Sequence, residues 1–317
     1  MTLFLNENQV EQILTMPDAM RVVEEALRSM GRGNAVNRPR QRVRTQDGVL
    51  NIMPAGLPTR GYLGFKYYSS FHSNTRFWFH LLDAKSGELL AVMQADRLGQ
   101  QRTGAASGIA TKYLARVDAS TVGLIGSGWQ AESQLQAVCV ARKIGSIKCY
   151  SRDMFNRNLF AKKMHAQLHV DIHAVETAEE AVRDSDILIT ATNSREPVLL
   201  GRWIAPGAHI NAVGANRMEG RELDDEVISR SKLVCVDSVE QAKMEATDLI
   251  GPIERGLTFW PCVRELGEVV AGKTTGRVDR DDITLFKSLG IAIEDVAVGA
   301  WVYEQARERK LGKEIDL

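Results

Sequence analysis

The spacing of apolar residues divides the first third of the chain into a helix and a set of strands. After Pro17, the residues Met20, Val23, Leu27 and Met30 recur at helical spacing, and glycines at 31 and 33 end the pattern. The region 40–94 instead has runs typical of β-strands. They are VLNIMPA (49–55), GYLGFKYYSSF (61–71) and TRFWFHLLDAKSGELLAVM (75–93), the last divided by a hairpin turn at 85–88. A loop followed by an alanine-rich helix is predicted over 96–115.

From residue 119 onwards, short apolar strands alternate with helices. The predicted strands lie in ASTVGLIGSG (119–128), SIKCYS (146–151), VDIHAV (170–175), DILITAT (186–192), HINAVGA (209–215) and LVCVDS (233–238). This alternation predicts the α/β class, with a parallel sheet covered by helices on both faces. The stretch 281–309 carries an apolar stripe and is predicted to be one long helix that returns to the first domain.

A chain of 317 residues is long enough for two domains. We place one domain at 1–118 plus 292–317 and the other, which contains the alternating strands and helices, at 119–291.

Composition and charge exclude several classes of protein. The 44% hydrophobic and 25% charged residues are typical of a soluble globular protein. Lys+Arg and Asp+Glu balance at 40 each, whereas a nucleic-acid binder usually carries a basic excess. We find neither an apolar run of about 18 residues, which a membrane span requires, nor a signal peptide. Four cysteines without C-x-x-C spacing predict reduced thiols and a cytoplasmic location.

The strongest motif is a glycine-rich turn, G-x-G-x-x-A, which follows a buried strand and opens a helix. In such a turn the first glycine permits the tight bend, and the second lets the backbone approach a pyrophosphate. The helix N-terminus adds N–H donors and a positive dipole end for the phosphates. The turn therefore predicts that 119–291 is a dinucleotide-binding Rossmann domain. The predicted cofactor-binding residues of this turn are Gly126, Ser127, Gly128, Trp129, Gln130 and Ala131.

The end of the next strand bears on which nucleotide is bound. NAD-binding proteins usually carry Asp or Glu there, but this chain has Ser151 and Arg152. A guanidinium can pair with a 2′-phosphate, so we expect NADP(H) to be preferred and NAD(H) to be possible. Two alternatives stay open: Asp153 could bend back to the ribose, or Arg152 could only stack on the adenine.

Three basic residues of the first domain are candidates for substrate chemistry. Lys66 lies inside an apolar strand, where burial would lower its pKa and suit it to proton transfer, unless it faces water. Arg102 precedes an alanine-rich segment, and Arg40 lies among other arginines that could simply be solvated. By contrast, the histidines at 165, 169 and 173 do not predict a metal site, because the helix ends near Leu168 and no Cys or carboxylate cluster completes a ligand set.

The chain resembles the ornithine cyclodeaminase/mu-crystallin family over nearly its whole length, in particular the ketimine reductase and alanine dehydrogenase-like branch. The segments that carry the resemblance are NIMPA (51–55), GFKYY (64–68), GELLAVMQADRLGQQRTGAASGIATKYLA (87–115), GLIGSGWQA (123–131), WIAPGAHINAVGANRMEGRELDDE (203–226), VCVDSVEQA (234–242) and LFKSLGIAIEDVAVGAWVY (285–303).

The resemblance implies roles for residues in both domains. The first domain is expected to bind substrate, with Arg40 and Arg102 on its carboxylate and Lys66 as the catalytic residue, and to form a homodimer. Positions lining the nicotinamide are expected at Val213, Gly214, Ala215 and Ser288, with Thr192 as a further cofactor-binding residue. Where cyclodeaminases have an aspartate, this chain has Asn216, a candidate substrate-binding residue whose amide is neither acid nor base near neutral pH.

These expectations favour an NAD(P)H-dependent oxidoreductase that interconverts an α-imino acid and an L-amino acid. The imino acid could be a cyclic ketimine or form from a 2-oxo acid and an amine. One alternative is an ornithine cyclodeaminase that releases ammonia and uses NAD catalytically. Another is a non-enzymatic protein that binds a small ligand in the presence of NADPH. No metal, nucleic acid or membrane partner is expected.

Overall fold

The computed structural model describes residues 1–71, 74–215 and 220–316. Its strands are β1 (Thr2–Leu5), β2 (Val36–Asn37), β3 (Gln41–Arg44), β4 (Gly48–Leu57), β5 (Tyr62–Phe71), β6 (Asn74–Asp83), β7 (Leu89–Gln94), β8 (Thr121–Ile125), β9 (Ser146–Tyr150), β10 (Asp171–Ala174), β11 (Ile187–Thr190), β12 (His209–Ala212), β13 (Ser231–Val236), β14 (Val263–Glu265), β15 (Ile283–Lys287) and β16 (Lys313–Ile315). Its helices are α1 (Glu7–Ile13), α2 (Met16–Gly31), α3 (Asp96–Leu114), α4 (Trp129–Ala141), α5 (Met154–Leu168), α6 (Ala178–Val182), α7 (Asp225–Arg230), α8 (Val239–Glu245), α9 (Thr247–Glu254), α10 (Leu266–Val270) and α11 (Ala292–Arg309).

The chain divides into two compact units. The first comprises Met1–Ala106 and Gly290–Leu317, and the second comprises Ser107–Leu289. The sequence-based boundaries at 118/119 and 291/292 therefore differ from those of the structure. The structural division between Ala106 and Ser107 lies inside α3. Sequence analysis assigned this helix to one domain, because a continuous helix gives no local signal where its packing partners change.

The first unit is built on a largely antiparallel sheet with one buried face. The strand order is β16-β1-β7-β6-β5-β4-β2, and β3 also pairs with β4. Among the described strands of this sheet, β1 and β7 are the only parallel pair. Met53, Lys66, Phe79 and Met93 are directly opposite one another across four strands, and all four are buried. Helix α11 packs against β4, β5 and β6. The alternation of side chains along β5 therefore places Lys66 on the buried face and not on a wet one.

The second unit is a parallel sheet flanked by helices, as the alternating pattern predicted. Its strand order is β10-β9-β8-β11-β12-β15-β13-β14, and every pair among its described residues is parallel. The first five strands have the order 3-2-1-4-5 typical of a Rossmann fold. The α/β class and the Rossmann fold are therefore confirmed, and the glycine-rich turn lies at the carboxyl end of the central strand β8.

Two predicted elements are wrong in detail. The stretch 281–309 is not one helix but β15 followed by α11, separated by Gly290 at φ +72°. Strand β15 is paired on both sides and buried at every position, so it lacks the alternation that marks a half-buried strand. The segment 96–115 has no initial loop, because α3 already begins at Asp96, where the Glu7 carboxylate accepts from the backbone N–H groups of Asp96 and Arg97.

The predicted hairpin turn, the position of Pro17 and the predicted end of α5 agree with the structure. The hairpin turn between β6 and β7 carries Gly87 at φ +75°, and α2 has Pro17 in its first turn. Helix α5 ends at Leu168, with His169 in the left-handed region, so the three histidines do not share one helix face. Within the described ranges we find no cluster of potential metal ligands and no helix long and apolar enough to cross a membrane.

Candidate active site

The first unit brings Lys66 into contact with a carboxylate. Lys66 is 2% exposed, and its Nζ lies 2.7 Å from Oδ1 of Asp295, which is fully buried on α11. This pair forms because β5 presents Lys66 to the face that α11 covers. A buried lysine is tolerated when a carboxylate compensates its charge, and Asp295 supplies that charge.

Arg102 joins the same cluster from α3. Its Nη1 lies 2.8 Å from Oε2 of Glu294, and its Nε lies 2.9 Å from Oδ1 of Asp295. Asp295 therefore lies between two cations, Lys66 and Arg102, and contacts both through one oxygen. Two carboxylates fix the position of this guanidinium, and a fixed planar guanidinium is the type of group that recognises carboxylates.

Arg40 is the buried member of the arginine-rich segment around it. It is 4% exposed, whereas Arg38 and Arg44 lie at the surface. Its Nη2 donates to the carbonyl oxygen of Gly290 at 3.1 Å, and its Nε lies 3.5 Å from Sδ of Met53, the residue opposite Lys66. The first unit thus holds all three predicted basic residues in buried, specific environments.

Charge and burial make Lys66 responsive near neutral pH. Burial, with a further effect from the Arg102 charge, lowers the pKa of Lys66 from 10.5 to about 7, although Asp295 acts in the opposite direction. In the described part of this unit, the buried charged side chains are Arg40, Lys66, Arg102, Glu294 and Asp295. When Lys66 is protonated, three cations face two carboxylates, which leaves a net positive charge for an anionic ligand.

Sequence reasoning missed the two carboxylates of this cluster. Glu294 and Asp295 occur in the otherwise apolar first turns of α11 and are both fully buried. Two adjacent acids inside an apolar helical stripe were the available signal, because acidic residues are rarely buried without a partner.

The glycine-rich turn has the geometry that a dinucleotide requires. Gly126 has φ +120°, and a Cβ there would lie 2.4 Å from the carbonyl oxygen of Ala191. A Cβ on Gly128 would meet nothing within 4 Å, so the space above this backbone is open. Helix α4 begins at Trp129 without a side-chain cap, and Ala131 is fully buried. Its first N–H groups are thus suited to a phosphate, and the residues present fit the expected cofactor.

The flanking residues of the turn are partly accessible. Ser127 Oγ donates to Ser151 Oγ at 2.8 Å, which connects the turn to the end of β9. Trp129 is 44% exposed, and Gln130 is half-buried with an Oε1 that has no hydrogen-bond partner among the described residues.

The end of β9 carries an exposed arginine and an aspartate that caps the following helix. Arg152 is exposed. Oδ1 of Asp153 caps α5 by accepting from the backbone N–H of Asn156 at 2.7 Å. The alternative in which Asp153 bends back to a ribose would therefore cost the helix its cap.

The remaining cofactor candidates lie where β11, β12 and β15 end. Thr192 and Gly214 are half-buried, whereas Val213, Ala215 and Ser288 are at most 7% exposed. Because the carboxyl ends of parallel strands meet at one edge of the sheet, the second unit brings these candidates to the same edge as the glycine-rich turn. Asn216 lies outside the described residues.

Sequence reasoning also missed the acidic residues behind this edge. Glu222 and Asp248 are fully buried, as is Lys287, whose Nζ lies 3.1 Å from Oδ2 of Asp248. Asp237 accepts from the backbone N–H of Leu289 at 2.7 Å, and Ser288 Oγ lies 3.5 Å from the same carboxylate. Asp237 directly follows β13, whereas Glu222 precedes α7 and Asp248 lies in α9, so what these acids contact depends on the sheet order.

Comparisons with known proteins agree with this description. The model of the ornithine cyclodeaminase/mu-crystallin family matches residues 1–310. The alanine dehydrogenase of Archaeoglobus fulgidus is 39% identical and covers 99% of this chain and 98% of its own. The solved Δ1-pyrroline-2-carboxylate reductase of Thermococcus litoralis, in complex with NADH and L-proline, has a TM-score of 0.95 at 39% identity, covering 99% of this chain and 100% of that one. An archaeal alanine dehydrogenase dimer with bound NAD has a TM-score of 0.92 at 38% identity, covering 100% of this chain and 99% of that one.

Proposed function

Because this chain belongs to the ornithine cyclodeaminase/mu-crystallin family, we propose that it is an NAD(P)-dependent oxidoreductase that interconverts an α-imino acid and an L-amino acid. The observation that carries the proposal is the buried cluster in which Lys66 and Arg102 share Asp295, with Arg40 also buried in the same unit. Relatives that act on alanine and on Δ1-pyrroline-2-carboxylate support this class of reaction.

The basic residues divide the chemistry between anchoring and proton transfer. Arg40 and Arg102 bind the α-carboxylate, for which the net positive charge of the cluster provides the attraction. Lys66 gives a proton to the substrate nitrogen during reduction and takes it back in the reverse direction, since its pKa of about 7 makes both forms available. When bound, the nicotinamide cofactor supplies or accepts the hydride.

The charges of the cluster favour a substrate with one carboxylate and no second amine. Glu294 and Asp295 both contact Arg102, and Asp295 also contacts Lys66. The described part of the first unit holds no other buried carboxylate to receive a distal ammonium. Asn216 carries an amide, which cannot move a proton near neutral pH. These points support a reductase over a cyclodeaminase acting on ornithine.

We infer that NADP(H) is preferred over NAD(H). The exposed guanidinium of Arg152 is available to a 2′-phosphate, whereas the Asp153 carboxylate is engaged as a helix cap. Two solved relatives have NADH or NAD bound, so NAD(H) is also a candidate cofactor of this chain. The preference in this chain therefore depends on Arg152, and the ratio of the activities with NADPH and NADH tests it.

We also infer that the protein forms a homodimer through the open face of the first sheet. Phe65, Tyr67, Trp78, His80 and Val92 alternate with the buried positions and are only half-buried. Phe65 and His80 stack with ring centroids 4.7 Å apart. Such an extended apolar face is typical of a protein interface, and one solved relative is a dimer. The cytoplasmic location expected from the sequence stays a prediction.

The test is oxidation of NADPH and NADH against cyclic imino acids, and against 2-oxo acids supplied with ammonia or methylamine. Turnover of any of these substrates by the wild type, together with its loss in Lys66→Met, supports the proposal. The relative wild-type rates rank the substrates. A cyclodeaminase would instead release ammonia from ornithine and NAD without net cofactor oxidation. NADPH binding without either activity would indicate a ligand-binding protein.

A further inference from the structure

The ladder between β11 and β12 stops one step before the residues expected to line the nicotinamide. These parallel strands pair from Ile187 opposite His209 to Thr190 opposite Ala212. The next backbone bond runs from Val213 N to Thr190 O at 2.9 Å. Beyond it, the N–H groups of Thr192 and Gly214 require another acceptor, because buried backbone donors are seldom left unpaired.

A single carboxylate accepts from both strand ends. Oε1 of Glu222 accepts from the backbone N–H of Thr192 at 2.7 Å and from its Oγ1 at 2.8 Å. Oε2 accepts from the backbone N–H of Gly214 at 2.7 Å and from Oγ1 of Thr190 at 2.9 Å. The carboxylate thus continues the ladder by one step with a side chain in place of backbone carbonyls.

Glu222 is itself held from several directions. Its backbone N–H donates to Oδ1 of Asp248 at 2.8 Å, and its carbonyl oxygen accepts from Val198 N at 2.8 Å and Leu199 N at 3.0 Å. Asp248 pairs with Lys287, which ends β15 directly opposite Ala212. These contacts fix the position of the Glu222 carboxylate relative to the sheet, so it can in turn fix the two segments that donate to it.

We propose that Glu222 is a positioning residue that fixes the nicotinamide half of the cofactor site by holding the backbones of Thr192 and Gly214. The inference rests on the proposed function and on the expectation, from the sequence, that these two residues bind the cofactor. Glu222 is fully buried, whereas Thr192 and Gly214 are half-buried, so it acts through them and does not itself contact the cofactor. The adenosine half, at the glycine-rich turn and the end of β9, does not contact this carboxylate.

Close packing explains why this position needs a carboxylate. A Cβ on Gly214 would lie 2.1 Å from the carbonyl oxygen of Thr192 and 2.5 Å from Oε1 of Glu222. The backbones of Thr192 and Gly214 therefore pack closely against each other and against the carboxylate, so we expect a small change in its charge or shape to displace both segments. Glutamine has only one acceptor oxygen, and its NH₂ group would face one pair of donors.

The experiment measures binding of intact and truncated nucleotides to the full-length protein by calorimetry. The intact ligands are NADPH and NADH, and the truncated ones are 2′-phospho-ADP-ribose and ADP-ribose, which lack the nicotinamide. The variants are Glu222→Gln and the milder Thr190→Val, which removes one of the four donors. The matched control is Glu226→Gln, the same chemical change at an exposed side chain of α7.

We expect Glu222→Gln to weaken the binding of the intact dinucleotides by about tenfold or more, while the affinity for the truncated ligands changes by less than about twofold. Thr190→Val should show the same selectivity with a smaller loss, and Glu226→Gln should bind as the wild type does. Equal weakening of both ligand classes, or no weakening, overturns the inference. If Glu222→Gln does not fold, the selectivity of Thr190→Val decides. A wild type that binds none of the ligands overturns the proposed function, and this inference with it.

Discussion

Replacing Asp295 with asparagine should move the pH dependence of catalysis without moving the residues around it. Asp295 Oδ1 lies 2.7 Å from Lys66 Nζ, and both side chains are at most 2% exposed. At this distance, and with an effective dielectric constant of about 20, the Coulomb attraction is about 6 kcal/mol. The amide oxygen of asparagine still accepts a hydrogen bond, so the net loss is smaller, about 1.4–4 kcal/mol.

The sign of the change follows from the charge that is removed. Asp295 raises the pKa of Lys66, which burial and Arg102 lower to about 7, so its loss lowers that pKa further. In the wild type, reductive turnover should fall as the pH rises through about 7, because reduction uses the protonated lysine. Oxidative turnover should fall as the pH drops through the same value. In Asp295→Asn, both inflections should move to lower pH by about one to three pH units.

The assay is kcat/KM in both directions between pH 4 and 10, with each profile normalised to its own maximum. At pH 7 the reductive rate of Asp295→Asn, relative to its maximum, should be about 5- to 500-fold below that of the wild type. Glu304→Gln is the control, since Glu304 lies on the same helix but contacts Arg60 and Tyr62. An unchanged inflection in Asp295→Asn would refute Lys66 as the titrating group.

Three further predictions test the other parts of the site. Lys66→Met should lower turnover by about 10²- to 10⁴-fold, while the cofactor affinity measured by fluorescence titration stays unchanged. The free energy of unfolding of the wild type should rise between pH 7 and 9, because the unfolded lysine, with a pKa of 10.5, binds a proton there that the folded lysine, with a pKa of about 7, does not; Lys66→Met should lose this rise. Arg152→Ser should reduce the NADPH-to-NADH ratio of kcat/KM by about tenfold or more and leave NADH kinetics unaltered; an unchanged ratio argues against a 2′-phosphate contact. Gly126→Ala should lower the melting temperature, because Gly126 has φ +120° and its Cβ would lie 2.4 Å from the carbonyl oxygen of Ala191, whereas the Cβ of Gly128→Ala would meet no protein atom within 4 Å and should weaken only nucleotide binding. Equal melting temperatures of the two variants would contradict this prediction.

Short-range patterns were sufficient for part of this protein. The turn at 126–131 could be recognised because its glycines, the preceding strand and the following helix are adjacent in sequence, and their geometry is local. The alternation of strands and helices likewise determined the parallel sheet, since right-handed crossovers leave few other arrangements. Lys66 could likewise be identified as a candidate from local sequence, because it is a single charged residue inside an apolar strand.

The tertiary structure decided what these residues contact. Whether Lys66 faced water or the core depended on which side of the sheet α11 covers, and its partner Asp295 lies 229 positions away. The start of α3 depended on a cap from Glu7, 89 positions earlier. Strand β15 resembled a helix because burial on both faces removes the alternation that marks a strand. Glu222 showed no local signal, because a carboxylate becomes a clamp only where the ends of two strands meet around it.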